Sequence, residues 1–65
     1  MSIAKVIEVL AEGKTFEDAM EAAVKEASET VREIRNLYVE GIQAIVENNK
    51  IVKYRVNVKV TFVVN

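Results

Sequence analysis

The segment YRVNVKVTFVVN, residues 54–65, decides how the rest of the chain is read. Tyr54, Val56, Val58, Val60, Phe62 and Val64 alternate with Arg55, Asn57, Lys59 and Thr61, the period of two expected of a strand with one covered face and one wet face. Upstream, RNLYVEGIQAIV at about 35–46 reads as a second strand, and the ENNK that follows is a hairpin signal because asparagine tolerates positive φ. A two-residue loop at Asn48 and Asn49 sets Leu37 opposite Val60, Val39 opposite Val58 and Ile45 opposite Val52 on the covered side. The same register sets Asn36, Tyr38 and Glu40 beside Thr61, Lys59 and Asn57 on the other side. It puts Gly41 opposite Val56, where the missing side chain permits a bulge or sharp bend, and Arg55 opposite Ile42, with Ala44 and Glu40 diagonal to it.

Working back to the start, IAKVIEVL (3–10) is rich in β-branched residues and reads as a first strand, which AEGKT interrupts. Thr15 with Asp18 makes a capping box, so a helix is expected from Phe16 with Glu17 and Asp18 near its positive end. Phe16, Ala19, Met20, Ala23, Ala27 and Val31 form its apolar stripe over about 17 residues. The stripe is mostly alanine, which lets a sheet approach the helix axis closely. These elements predict an α+β fold of order β-α-β-β, a three-stranded antiparallel sheet wrapped around one helix, as a single domain over 1–65. A third strand of about 14 residues reaches roughly 46 Å, whereas a helix of about 17 residues covers only about 26 Å. Part of FVVN at the chain end is therefore expected to be buried by another subunit.

Composition points the same way. A chain of 65 residues, about half of them apolar, buries only about 60% of its unfolded surface and is marginal alone. With no cysteine and no histidine, disulfides and a structural zinc site are excluded, which leaves oligomerisation. The absence of cysteine and of a leader pattern in MSIAKVIEVL gives an expectation of a cytoplasmic protein. No run approaches the roughly 20 apolar residues of a membrane span. Nine basic and ten acidic residues, interspersed to a net charge of −1, offer no footprint for nucleic acid or an anionic membrane.

The strand, helix and hairpin order in this length, with KVIEV opening, TFEDAMEAAVKEASETV through the helix and YRVNVKVTF closing, resembles the dodecins. The resemblance implies a hollow homododecamer built from trimers. In flavin-binding dodecins a tryptophan near the start of the second strand stacks on the isoalloxazine ring and a glutamine on the third hydrogen-bonds it. Those positions are occupied here by Asn36 and Arg55. The chain is thus closer to the tryptophan-less branch, which includes members described as calcium dodecins.

Three readings compete for the polar face of Asn36, Tyr38, Glu40, Arg55, Asn57 and Lys59. In the first, Asn36, Tyr38, Arg55 and Asn57 bind a flavin (riboflavin, FMN or FAD) or another phosphate-bearing cofactor such as coenzyme A, with Arg55 and Lys59 holding phosphate. In the second, Glu40, Glu29 or Glu33 supplies oxygens to calcium, which wants six to eight of them; no loop of the EF-hand type is present. In the third, Glu40, Arg55 and Lys59 form interface ion pairs and there is no ligand. Arg55, read as lying beside apolar Ile42 and Ala44, is expected to need a partner from another subunit or an anionic ligand. Catalysis is not expected. A general base would have to be a strongly shifted carboxylate or lysine, Ser28 and Thr30 have no activating partner, and AEGKT lacks the upstream glycine of a phosphate loop.

Overall fold

A computed structural model describes residues 3–64 of the chain. In order they form β1 (Ile3–Gly13), α1 (Phe16–Ser28), β2 (Ile34–Glu47) and β3 (Lys50–Val64). Thr15 caps the helix as its sequence signature requires, its Oγ1 accepting the Asp18 N–H at 3.0 Å. The helix is 13 residues long, shorter than the apolar stripe suggested. Its end is set by hydroxyl groups that compete for helical carbonyls: Ser28 Oγ donates to Lys25 O at 2.8 Å and Thr30 Oγ1 to Ala27 O at 3.3 Å. Glu33, with φ 48°, then turns the chain into β2, and its carbonyl accepts the Val63 N–H at 3.2 Å.

All three strands are antiparallel neighbours in the order β1-β3-β2, so the strand read first from the sequence lies in the middle. β3 is flanked on both sides and covered by the helix, and its Val56, Val58 and Val60 are fully buried against Ala19, Ala23 and Ala27. The alanines do what their size predicts and bring helix and sheet into close contact. Closest of all is Gly13 on β1, where an added Cβ would overlap the Ala19 amide nitrogen and lie 2.7 Å from Asp18 C.

β1 continues past Leu10 to Gly13, because the alternation of Glu8, Leu10 and Glu12 with Ile7, Val9 and Ala11 carries on through what was read as a break. The hairpin turn is as expected: Asn48 and Asn49 both have positive φ, 52° and 63°, the type I′ geometry that matches strand twist. Leu37–Val60 and Val39–Val58 pair as expected. Between them and the turn, however, the register is shifted by two compensating bulges. Val52 is an extra residue on β3 and Glu40 an extra residue on β2, so Ile45 pairs with Lys53, Gly41 with Asn57, and Ile42 with Val56. Four expectations are thereby corrected: Ile45 does not face Val52, Gly41 does not face Val56 and lies on the outer face, Glu40 does not face Asn57, and Arg55 faces Gln43 instead of Ile42. The bulge does sit beside Gly41, as the glycine suggested.

Of the FVVN stretch expected to need another subunit, Val64 is exposed at 40%, but a longer unsupported stretch lies at the other end of the strand. Phe62 is buried within its own chain, at 8% exposure, where it pairs with Ile34 at the start of β2; Asn65 lies outside the described residues. The overhang is the hairpin tip. The 52 Å long domain leaves Ile42, Val46, Ile51 and Val52 exposed, since the helix packs on β1 and β3 and barely reaches β2. A two-stranded ribbon of this kind is marginal in water by itself.

Candidate functional site on the outer sheet face

Side chains opposite the helix fall into three rows across the sheet, each set by strand register. In the first, Glu8 of β1 is opposite Lys59 of β3, which is opposite Tyr38 of β2 and lies 3.6 Å from the bulged Glu40 carboxylate. In the third, Glu12 is opposite Arg55, which is opposite Gln43. The middle row is Leu10, Asn57 and Gly41, and it carries no charge. An apolar side chain, an amide and a bare backbone there leave a concavity of about 350 Å³, lined by Leu10, Gly41, Ile42, Gln43, Arg55 and Asn57. That volume falls near the lower end of the roughly 300–1,000 Å³ typical of small-molecule clefts. Nothing lies within 4 Å of where a Gly41 Cβ would be, so the dip is open on that side.

Glu12 organises one wall. Its Oε2 accepts from Arg55 Nε at 2.9 Å and lies 2.8 Å from Nη2, while its Oε1 lies 2.9 Å from Lys53 Nζ. Arg55 Nη1 donates to Gln43 Oε1 at 3.4 Å, which leaves the Gln43 amide nitrogen as the donor turned away from the arginine. Hydrogen bonds from Lys53 and then Arg55 hold the Glu12 carboxyl below the ordinary glutamate range. The expectation that Arg55 needs a partner from outside the chain is therefore corrected. Glu12 and Gln43 already occupy its fork, and the register that seemed to put apolar residues beside it was wrong by one.

Of the four residues singled out from the sequence, Arg55 and Asn57 line the same concavity. Tyr38 is one row away beside Lys59 and is 63% exposed, available as an aromatic surface. Asn36, opposite Thr61, is a further row off, about 13 Å along the sheet from Asn57 at the rise of an extended strand. Leu10, Glu12 and Gln43 were missed. Leu10 lay within the first strand as read but had no register to place it, Glu12 was hidden by ending that strand at Leu10, and Gln43 by the bulges. Among the described residues no three acidic side chains gather as a metal site, and Glu40, one of the carboxylates considered for calcium, faces Lys59. A second concavity, of about 520 Å³, lies between the turn after α1 and the end of β3, lined by Thr30, Val31, Arg32, Glu33, Phe62, Val63 and Val64. No helix among the described residues is long and apolar enough to cross a membrane.

A family model described as Dodecin matches residues 3–65. Among solved structures, a protein from Thermus thermophilus superposes with a TM-score of 0.92 at 23% identity, over 100% of this chain and 97% of that chain. A tryptophan-to-phenylalanine variant of the T. thermophilus dodecin gives 0.90 at 23% identity, over 100% and 98%. The dodecin from Streptomyces davaonensis gives 0.90 at 17% identity, over 98% and 96%. At these identities the superpositions speak for the fold alone, and no curated protein sequence matches significantly. With the family model matched over nearly its whole length and the β-α-β-β fold in place, the chain belongs to the dodecins, small oligomeric flavin-binding proteins that are not enzymes.

Proposed function

We propose that the protein is a hollow homododecamer built from trimers, of the tryptophan-less branch, that binds and stores a small planar ligand on the outer sheet face. The ligand is a flavin (riboflavin, FMN or FAD) or a cofactor with another aromatic ring system such as coenzyme A. Asn57 and Gln43 offer amide donors and acceptors to a ring edge, Arg55 orients Gln43, and Tyr38 and Asn36 lie one and two rows farther along the same face, where a neighbouring subunit would extend the site. The observation that carries this reading is the uncharged dip of Leu10, Asn57 and Gly41 between two charged rows, since binding clefts combine apolar walls with a few convergent polar groups. Assembly is supported by the exposed apolar side chains at the hairpin tip and on the outer face, a pattern that marks interfaces.

Native mass spectrometry should give twelve copies per particle, and titration with riboflavin should quench flavin fluorescence. Asn57→Leu should weaken the quenching by removing the amide. Asn36→Trp should strengthen it roughly tenfold or more, the effect of about 1–3 kcal/mol of aromatic stacking. A dodecamer that quenches none of riboflavin, FMN or FAD, and carries no co-purified small molecule, would refute the ligand reading.

A further inference from the structure

Arg55 lines the concavity and Lys53 stands one row beyond it, and both are held by one carboxylate on the neighbouring strand; Lys59, in the row on the other side of the dip, is taken by Glu40 at 3.6 Å. Among the described residues, the side chain that β2 contributes to this group is the neutral Gln43. We infer that Glu12 sets the charge selectivity of the outer-face site: by holding Arg55 and Lys53 in internal ion pairs, it leaves the site to recognise an uncharged ring and to gain little from a ligand's phosphate. This rests on the outer-face ligand reading. Its physical basis is competition for donors. Arg55 spends Nε and Nη2 on Glu12 and Nη1 on Gln43, so a phosphate approaching the same fork must displace a carboxylate already within 3 Å of it or share the remaining N–H groups. It also meets that carboxylate's negative charge at close range, where Coulomb repulsion is strong. Glu12 acts through Arg55 and Lys53, as a positioning residue.

The test compares riboflavin with FMN, which share a ring and differ by a phosphate, and adds inorganic pyrophosphate as a probe without a ring. The parent dodecamer and its Glu12→Gln and Glu12→Asp variants are titrated at low and high salt, with assembly checked by light scattering. In the parent, riboflavin and FMN should bind with similar affinity and pyrophosphate weakly. Glu12→Gln should raise affinity for FMN about tenfold at low salt relative to riboflavin, with the gain screened at high salt. Glu12→Asp, which keeps the charge, should retain the parent's ranking. A general loosening of the fold would weaken both flavins alike and could not produce a salt-sensitive change in their ratio. A parent that prefers FMN tenfold, or a Glu12→Gln variant with an unchanged FMN-to-riboflavin ratio and unchanged pyrophosphate affinity, overturns the inference. If neither flavin binds any form while pyrophosphate still binds Glu12→Gln more tightly than the parent, the ring-binding reading fails and the charge control by Glu12 stands.

Discussion

Replacing Gly13 by alanine should destabilise the domain, although its backbone conformation is one that alanine adopts without strain. Neither glycine has positive φ, so the usual gain of about 0.4–1 kcal/mol from stiffening the unfolded chain is available at both. At Gly13 the added Cβ meets three backbone atoms of the first helical turn: the Ala19 nitrogen, Asp18 C at 2.7 Å and Ala19 Cα at 2.9 Å. Ordinary contact begins at about 3.4 Å, and backbone held in a capped helix cannot swing aside as a side chain would. The start of α1 must then lift from β1 by an appreciable fraction of an ångström, and a gap of about 0.5–1 Å forfeits a quarter to a half of the dispersion well for the atoms beneath it. Those atoms belong to Ala19, Ala23 and the buried valines of β3. Overpacking of this kind costs about 1–3 kcal/mol, which leaves a net loss of about 1–2 kcal/mol after the entropic gain. For a domain of this size that lowers the melting temperature by roughly 5–15 °C. Gly41→Ala is the internal control, because its Cβ meets nothing within 4 Å, and it should raise the melting temperature by a few degrees. Thermal unfolding followed by circular dichroism, at matched protein concentration, reads both. A Gly13→Ala protein that melts at or above the parent would show that the close approach of α1 to β1 does not limit the packing.

Alanine at Asn48 or Asn49, each at positive φ, should cost about 1 kcal/mol, whereas Asn49→Gly should be neutral or slightly stabilising; an Asn49→Ala protein with an unchanged melt would contradict the type I′ turn. The ion-paired Glu12 predicts an acid limb in stability. Its folded-state pKa is depressed, so its contribution is fully present above the unfolded value of about 4.3 and is lost as pH falls through the lower folded value. Melting curves from pH 6 down to pH 3 (on the order of those limits, either side of the glutamate range) should fall less steeply for Glu12→Gln than for the parent, and parallel curves would show that the Lys53 and Arg55 contacts do not persist in solution.

Most of the fold was written in local chemistry. Alternation in residues 54–65, the Thr15 capping box, the alanine stripe and the paired asparagines each specify an element through interactions a few residues apart, so strand, helix and turn could be read directly. Features fixed by tertiary fit could not. Gly41 hinted at a bulge on β2 without fixing the bulged residue as Glu40, and nothing local distinguishes Val52; the two one-residue shifts offset each other, so the pairing on either side of them still fits the turn. Their effect on the site is large, since a shift of one residue exchanges Ile42 for Gln43 opposite Arg55 and brings Gly41 beside Asn57. Glu12 was obscured differently: its strand was ended at Leu10, although the alternation of the two faces ran on to Gly13. Arg55 and Asn57, two residues apart on a strand whose covered face was unmistakable, were the part of the site that could be placed on the wet side from sequence alone.

The β1-β3-β2 order has a consequence for the way the chain acquires its shape. β1 is made first, yet its only strand partner is the last strand of the domain, with Ile3 paired to Val64. During synthesis the hairpin of β2 and β3 can zip from its asparagine turn as it emerges, whereas β1 and α1 can meet only each other until the central strand arrives to complete the sheet and cover the alanine face. Contacts between such distant residues carry the largest loop-closure entropy and form late. The nascent polypeptide therefore passes most of its elongation without its valine core, and a ribosome stalled shortly before the codons of β3 would hold β1, α1 and β2 with little more than the β1–α1 contact in place and no sheet.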